Sequence, residues 1–209
     1  MNASSSRASA LRPSLIREVA ETGMNMRDII PLWFGEGRWP TSEIAVAAAR
    51  KALSEEDHFY QPNSGKPTLR RCLQNYMNRL YALKLDISSI TVTGSGMQAM
   101  MLSAQALIDP GDKIIMVGPA WPNLAESFKI AGGMITSIPL MPENGRWHLD
   151  MDRLLDSLTS DTKAVLINSP NNPTGWVMPA DAQKILLNHC RKQGIWIISD
   201  DVYSRLYQH

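Results

Sequence analysis

The chain has 209 residues, and 44% of them are apolar, which is enough for a substantial core in one large or two small domains. Its 21 basic and 20 acidic side chains leave a net charge of +1 without a basic stripe interleaved with aromatic residues, which argues against nucleic acid and favours a small-molecule partner. Cys72 and Cys190 are too few for a disulfide framework and lie in no metal-binding motif, so a reducing, cytoplasmic setting without a metal is expected.

The predicted elements begin with an arm over residues 1–10, which we expect to be disordered or loosely docked. Helices follow near 42–54 and 67–82, and from about residue 88 short β-branched runs alternate with helical periodicity. The predicted strands lie at 90–93, 113–117, 134–138, 163–167 and 195–199, with helices between most of them. This alternation is typical of an α/β fold with a mostly parallel sheet and helices on both faces. The longest apolar runs have only the length of strands, so no membrane segment is expected.

The run Asn168–Gly175 reads Asn-Ser-Pro-Asn-Asn-Pro-Thr-Gly, and the apolar strand that follows it ends at Asp200. An asparagine on a proline-locked turn and a carboxylate at a strand end are suited to grip and charge a pyridine ring. Asn172 and Tyr203 have side chains that could bond a phenolate oxygen on such a ring. A plain turn and an aspartate that caps the next helix are the commoner uses of these residues, so the pair alone leaves both alternatives open.

Residues 91–98 lead from a predicted strand through a glycine turn into a helix, whose first N–H groups favour a phosphate. The spacing from Gly94 to Ala99 also fits a dinucleotide-binding fingerprint. That fingerprint requires an acidic residue at the end of the second strand, whereas Asp109 and Asp112 lie before that strand. The dinucleotide alternative is therefore weak, and a turn without a ligand is the stronger one.

Three further positions are candidates for ligand contact. Trp121 follows the predicted strand 113–117 on the side where α/β sheets bind ligands, so its ring could lie against a heteroaromatic ring or simply cover the core. Tyr60 begins a loop that runs into a helix and could be a phosphate donor or a rim residue. Gly35, in Gly-Glu-Gly, could bring bare backbone close to a substrate, although a simple turn explains it equally well.

Taken in order, these motifs resemble the class I/II aminotransferases of the aspartate aminotransferase superfamily, which are fold type I pyridoxal-phosphate enzymes. The resemblance runs from about Leu32 to the end of the chain. It is carried by Tyr60 with residues 65–70, Ser95-Gly96-Met97, Trp121, Asn172-Pro173-Thr174-Gly175 and Asp200-x-x-Tyr203. A glycine loop is common, but five motifs in this order and spacing are highly specific.

The resemblance implies pyridoxal 5′-phosphate as the cofactor. Ser95, Gly96 and Met97 would then hold the phosphate. Trp121 would stack on the pyridine ring, and Asp200 would pair with the ring nitrogen. The resemblance therefore places the cofactor at one edge of the predicted sheet.

The remaining assignments also follow from the resemblance. Asn172 and Tyr203 would bond the 3′ oxygen of the cofactor, and Tyr60 would reach the phosphate of the neighbouring subunit, so the active unit is expected to be a homodimer. Gly35, Trp121 and Asn172 would contact the substrate. In this family the substrates are an amino acid and a 2-oxo acid, and the expected reaction transfers an amino group between them.

We divide the chain into an N-terminal arm and helix (1–31), part of a small domain with an interface loop (32–85) and the N-terminal part of a pyridoxal-phosphate-binding large domain (86–209). The family's Schiff-base lysine and its carboxylate-binding arginine would lie beyond His209, so no catalytic residue is assigned within the chain. The 209 residues are therefore expected to be the N-terminal half of an aminotransferase and to be inactive alone. Two alternatives remain: a C–S or related lyase of the same fold, and a non-catalytic fragment or regulatory protein.

Overall fold

The computed structural model describes residues 4–11, 14–37 and 39–206. Its helices are α1 (Ser6–Ser9), α2 (Leu15–Gly23), α3 (Glu43–Ser54), α4 (Pro67–Tyr81), α5 (Gly96–Leu107), α6 (Pro122–Ile130), α7 (Met151–Ser157) and α8 (Ala180–Gln193), with a 3-10 turn at Ile87–Ser89. Its strands are β1 (Lys113–Gly118), β2 (Met134–Glu143), β3 (Arg146–Leu149), β4 (Thr162–Asn168) and β5 (Trp196–Asp200). One compact unit comprises the described residues 4–11 and 95–206, and a second lies within residues 14–94.

The first unit is built on one sheet with the strand order β3-β2-β1-β4-β5. Strands β2, β1, β4 and β5 run parallel, and β3 pairs antiparallel with β2. Because the connections between parallel strands must cross from one end of the sheet to the other, helices link them. The predicted α/β class with a mostly parallel sheet is confirmed.

The core lies on both faces of this sheet. In β1, Ile115 and Val117 face a cluster that includes residues of α7 and α8, whereas Ile114 faces a cluster with residues of α5 and α6. This division follows from the period of two in a strand, which sends successive side chains to opposite faces. Since both faces are covered, the strand reads as a nearly continuous apolar run, as parallel strands do.

Short polar signals set the helix ends. Asp150 precedes α7, and its Oδ1 accepts the backbone N–H of Arg153 at 2.9 Å, so one of the unpaired donors of the first turn is satisfied. Helix α8 ends at Gln193 and is followed by Gly194, which adopts φ 74° in the left-handed region. The chain then enters β5 at Trp196.

The β2–β3 hairpin was not predicted, although the sequence contains its signal. Asn144 and Gly145 both have positive φ, 50° and 75°, between the paired residues Glu143 and Arg146. An Asn-Gly pair with two positive φ angles is the preferred connection of a two-residue hairpin. Strand β2 consequently extends beyond the predicted end at residue 138.

The strand predicted at 90–93 is wrong. The backbone N–H of Val92 donates to the Ser64 carbonyl at 2.9 Å, and the carbonyl of Ile90 accepts Nε of Arg70 at 2.7 Å. These backbone groups therefore have partners in a loop and a side chain instead of a neighbouring strand. A β-branched run shows that a segment can be extended, but pairing decides whether it is a strand.

Of the two alternatives predicted for the arm over residues 1–10, the docked one is seen at residues 6–9. Ser6–Ser9 form α1, which contacts α6, and Oγ of Ser5 accepts the N–H of Ala8 at 3.3 Å. A side-chain cap thus stabilises a single helical turn that weak propensity alone did not indicate. Residues 1–3 lie outside the described part of the chain.

The described residues contain neither a membrane-spanning helix nor a metal-binding cluster of side chains. None of the helices in the described ranges is both long and apolar enough to cross a bilayer. Within the same residues, no group of three or more His, Cys, Asp or Glu side chains is placed to hold a metal ion.

Substitution of Gly132 with alanine is expected to destabilise the first unit more than the same change at Gly111. Both glycines have φ near 100°, so both substitutions strain the backbone by about 1 kcal/mol. Only at Gly132 would the new Cβ also meet another backbone atom, Cα of Pro110, at 2.8 Å. We expect an additional loss of about 1–3 kcal/mol there, measured by amide hydrogen exchange of Ile115 and Val165 in the sheet of this unit. Equal losses at the two positions would contradict the packing explanation.

Burial raises the pKa of the Cys190 thiol from 9.0 to about 11. Between pH 9 and pH 11 the folded chain therefore keeps the thiol proton that the unfolded chain releases. The contribution of the buried thiol to the free energy of unfolding is complete below pH 9 and falls as the pH rises towards 11. The loss is about 2 kcal/mol at the upper end of this range. We expect the urea midpoint of Cys190→Ala to fall less between pH 9 and pH 11 than the midpoint of the parent chain. Cys72→Ala, at an exposed cysteine, should behave like the parent.

Candidate functional site

The candidate site lies at the carboxyl ends of β4 and β5. The register pairs Asn168 with Asp200, so the last residues of these two strands are neighbours. Nδ2 of Asn168 donates to the Asp200 carbonyl at 3.0 Å, and the N–H of Ser169 donates to the same oxygen at 3.2 Å. Because strand ends at a parallel sheet edge are where α/β proteins bind ligands, this pairing places two polar residues at the expected location.

Asn172 is held from two sides. Its backbone N–H donates to Oδ1 of Asn168 at 2.7 Å, and its side-chain Nδ2 lies 3.4 Å from the hydroxyl of Tyr203, a long hydrogen bond. Asn172 and Tyr203 are 31 residues apart in the sequence, and the structure brings their polar groups together at one edge of the sheet.

The turn after Asn168 is held by its own side chains. Oδ1 of Asn171 accepts both the N–H of Thr174 at 3.2 Å and its hydroxyl at 2.8 Å, and Oγ1 of Thr174 accepts the N–H of Trp176 at 3.1 Å. The N–H of Asn171 also donates to the Trp176 carbonyl at 2.8 Å. Nδ2 of Asn171 is buried and has no partner among the described residues. These bonds explain why a short polar run forms a defined turn.

Asp200 is half-buried, and its Oδ1 accepts the N–H of Val202 at 3.1 Å. This bond is the local one that aspartate commonly makes at the start of a turn. The segment beyond it forms turns rather than the helix considered from the sequence, with the N–H of Leu206 donating to the Tyr203 carbonyl at 2.9 Å. The turn still brings the Tyr203 hydroxyl to Asn172.

Ser95, Gly96 and Met97 form the start of α5. Oγ of Ser95 caps the helix by accepting the N–H of Gln98 at 3.1 Å. A Cβ added at Gly96 would meet no atom within 4 Å, so the space around this first helical residue is open. Met97 is half-buried. The arrangement is a capped helix N-terminus with room beside its first turn.

Trp121 occupies the position before α6, three residues after the end of β1. Its side chain is half-buried, and Pro122 begins the helix directly behind it. A proline at the first helical position has the φ angle that the helix needs and lacks a donor that would be unpaired there. The local sequence therefore fixes the backbone that carries this aromatic ring.

Tyr60 and Gly35 belong to the unit formed within residues 14–94. The side chain of Tyr60 is fully exposed, with a relative accessibility of 106%, and Gly35 is exposed as well. Their assignments to the phosphate of a partner subunit and to the substrate remain predictions.

Sequence reasoning singled out the run from Asn168 to Gly175 but gave no structural role to the residues in it that hold the site together, namely Asn168, Asn171 and Thr174. Asn168 carries the only visible signal, because it is an amide that directly follows a run of buried apolar residues. A buried polar side chain needs hydrogen-bond partners, so its position alone could have indicated a structural link. Its partners are set by the pairing of β4 with β5, which no local pattern reveals.

Comparison with known proteins identifies the class to which this fold and site belong. The family model described as aminotransferase class I and II matches residues 28–209, and the chain therefore belongs to the class I and II aminotransferases. The resemblance predicted from the motifs is confirmed.

Individual relatives agree with this family. The aspartate/prephenate aminotransferase of Thermus thermophilus is 33% identical over 210 residues, which cover 99% of this chain and 54% of that protein. A solved double mutant of the Thermus thermophilus aspartate aminotransferase matches with a TM-score of 0.92 and 32% identity, covering 100% of this chain and 56% of the other. An alanine aminotransferase from Pyrococcus furiosus matches with a TM-score of 0.88 and 27% identity, over 99% of this chain and 54% of its own. The chain thus spans about half the length of the relatives it matches.

Proposed function

We propose that these residues form the cofactor-binding half of a pyridoxal-phosphate-dependent aminotransferase, which transfers an amino group from an amino acid to a 2-oxo acid. The observation that carries the proposal is the convergence of Asp200, Asn172 and Tyr203 at the ends of β4 and β5. Membership of the aminotransferase family supports the same reaction class.

The polar groups at this edge fit a charged pyridine ring. When bound, pyridoxal 5′-phosphate supplies an electron sink for negative charge that develops at the substrate. The carboxylate of Asp200 would hold a proton on the ring nitrogen, because a half-buried negative charge favours a cationic partner. The Asn172 amide and the Tyr203 hydroxyl, which already lie 3.4 Å apart, would bond the ring oxygen.

The start of α5 fits a phosphate. Its first N–H groups lack partners within the helix, and the helix dipole places partial positive charge at this end. The Ser95 hydroxyl and the backbone of Gly96 and Met97 would bind the phosphate oxygens, and Gly96 leaves open space for their approach.

The remaining assignments concern Trp121 and two residues of the unit within residues 14–94. The Trp121 ring would lie against one face of the pyridine and exclude water from it. Tyr60 of a second copy would reach the phosphate, so the functional unit would be a homodimer, and Gly35 would contact the substrate carboxylate. Trp121 and Asn172 would contact the substrate from the side of the cofactor.

The first test is a titration of the 209-residue chain with pyridoxamine 5′-phosphate. This probe has no aldehyde, so it cannot react with surface lysines. We expect saturable binding, measured by calorimetry, with weaker binding of the phosphate-free pyridoxamine. Trp121→Leu should weaken binding by about threefold to tenfold, whereas Trp147→Leu on β3 should leave it unchanged. Absence of saturable binding would overturn the assignment.

A second test concerns the reaction and uses the natural protein isolated from its source. We expect it to consume an amino acid only when a 2-oxo acid acceptor is present and to convert the acceptor into an amino acid. Release of ammonia without an acceptor would instead indicate a lyase. Product analysis by mass spectrometry with a ¹⁵N-labelled amino acid distinguishes the two, since only transfer places the label in the acceptor.

A further inference from the structure

We propose that Asn168 is a positioning residue that holds Asp200 and Asn172 in fixed relation for the cofactor. This inference rests on the proposed function, because those two residues are the ones assigned to the pyridine nitrogen and to the ring oxygen. Asn168 itself is assigned no contact with the cofactor or the substrate.

The hydrogen bonds of Asn168 carry the inference. Its side chain is only 2% exposed, and it makes one bond in each direction: Nδ2 donates to the Asp200 carbonyl at 3.0 Å, and Oδ1 accepts the N–H of Asn172 at 2.7 Å. A single planar group therefore connects the backbones of both candidate cofactor residues.

Few other side chains could replace this amide. Asparagine has a donor and an acceptor on one short, rigid group, whereas an ionised aspartate can only accept and leucine can do neither. A serine hydroxyl can donate and accept, but it is shorter by one atom. Losing the amide would leave the partly buried N–H of Asn172 without its 2.7 Å partner, and leaving such a donor unpaired is costly.

The location of Asn168 explains why a side chain is needed there. The register between β4 and β5 ends at the pair Asn168 and Asp200, and just beyond it the Ser169 N–H still donates to the Asp200 carbonyl, whereas Asn172 is reached only through the Asn168 side chain. One segment runs through the turn to Asn172, and the other leads to Tyr203. The Asn168 amide links these two segments just beyond the last residue pair of β4 and β5. The 3.4 Å contact between Asn172 and Tyr203 links them again, further along both segments.

The first experiment measures positioning without any ligand. In the 209-residue chain, the amide proton of Asn172 should exchange slowly with solvent because of its bond to Asn168. In Asn168→Ala we expect this proton to exchange at least about tenfold faster. Thr162→Ala serves as the matched control, since Thr162 is a buried polar residue at the other end of β4. It should leave the Asn172 amide unchanged.

The second experiment is a double-mutant cycle on the binding of pyridoxamine 5′-phosphate. Asn168→Ala should weaken binding by about tenfold, or about 1.4 kcal/mol. In an Asn172→Ala background the same substitution should weaken it by less than about threefold, because part of the effect passes through Asn172. A general structural defect would give the same factor in both backgrounds. If Asn168→Ala does not fold, Asn168→Ser carries the same comparison.

The outcomes separate the two proposals. Failure of the unsubstituted chain to bind pyridoxamine 5′-phosphate would overturn the proposed function, and the role of Asn168 with it. If the unsubstituted chain binds pyridoxamine 5′-phosphate and Asn168→Ala binds it equally well, only the role of Asn168 is overturned. The same conclusion follows if Asn168→Ala weakens binding by the same factor with and without Asn172→Ala. Loss of affinity in Thr162→Ala to the same extent would also contradict it.

Discussion

Substitution of Asp200 with asparagine is expected to weaken the binding of pyridoxamine 5′-phosphate by about tenfold to a hundredfold. Asparagine has nearly the same shape and retains an oxygen for the 3.1 Å bond from the N–H of Val202, so the turn should persist. What disappears is the negative charge that would face the pyridinium nitrogen. Hydrogen bonds to charged groups contribute about 1.5–3 kcal/mol, which corresponds to this range of affinity.

The neighbouring carboxylate provides the control for this prediction. Asp201 is exposed, and its Oδ1 accepts the Ser199 hydroxyl at 2.6 Å. Asp201→Asn removes the same charge one residue away and should change the affinity by less than about threefold. Calorimetric titration of both variants measures the difference. Similar losses at the two positions would indicate a general electrostatic attraction and would contradict a specific pairing of Asp200 with the ring.

Substitution of Phe128 with alanine is expected to destabilise the first unit by about 3–5 kcal/mol. Phe128 lies on α6 and has an exposed fraction of 0% in the cluster that includes Ile114 and Leu166. Removing the ring loses the free energy of its burial and leaves a cavity that the surrounding strands can fill only in part.

Amide hydrogen exchange is the appropriate measurement, because two compact units make a single unfolding free energy difficult to define. The amides of Ile115 and Val165, near the centre of the sheet, should report the opening of the unit that contains Phe128. Ile185→Ala on α8 is the control, since this side chain is 48% exposed and lies in neither buried cluster, so its loss should change stability far less, by about 0.5–1 kcal/mol. Unchanged exchange in Phe128→Ala would show that α6 does not contribute to the stability of the sheet.

Much of the fold could be predicted from local patterns. The apolar runs at 113–117 and 163–167 correspond closely to β1 and β4, since strands covered on both faces need apolar side chains at every position. The run at 90–93 is also rich in β-branched residues but pairs with no strand among the described residues, so its pattern was misleading. Composition predicts extended backbone, whereas pairing depends on distant segments.

The sequence predicted which residues share the candidate site but not how they contact one another. The motifs assigned Asn172, Asp200 and Tyr203 to one ligand at one edge of the sheet, because each has a side chain with a suitable chemical group. Their mutual arrangement depends on the register of β4 with β5, which joins residues 32 positions apart through Asn168. Register is a tertiary property that no local window contains.

The position of β5 at one end of the strand order has a consequence for how the site responds to ligand. Within the sheet of described residues, β5 pairs only with β4, so its backbone can separate from the sheet while the centre stays closed. Asp200 is the last residue of this strand, and fraying there would remove a ligand contact without exposing the core. A bound ligand should therefore slow the local opening of β5 by a larger factor than it slows the unfolding of the whole unit. The cofactor would then hold the edge strand β5 against β4.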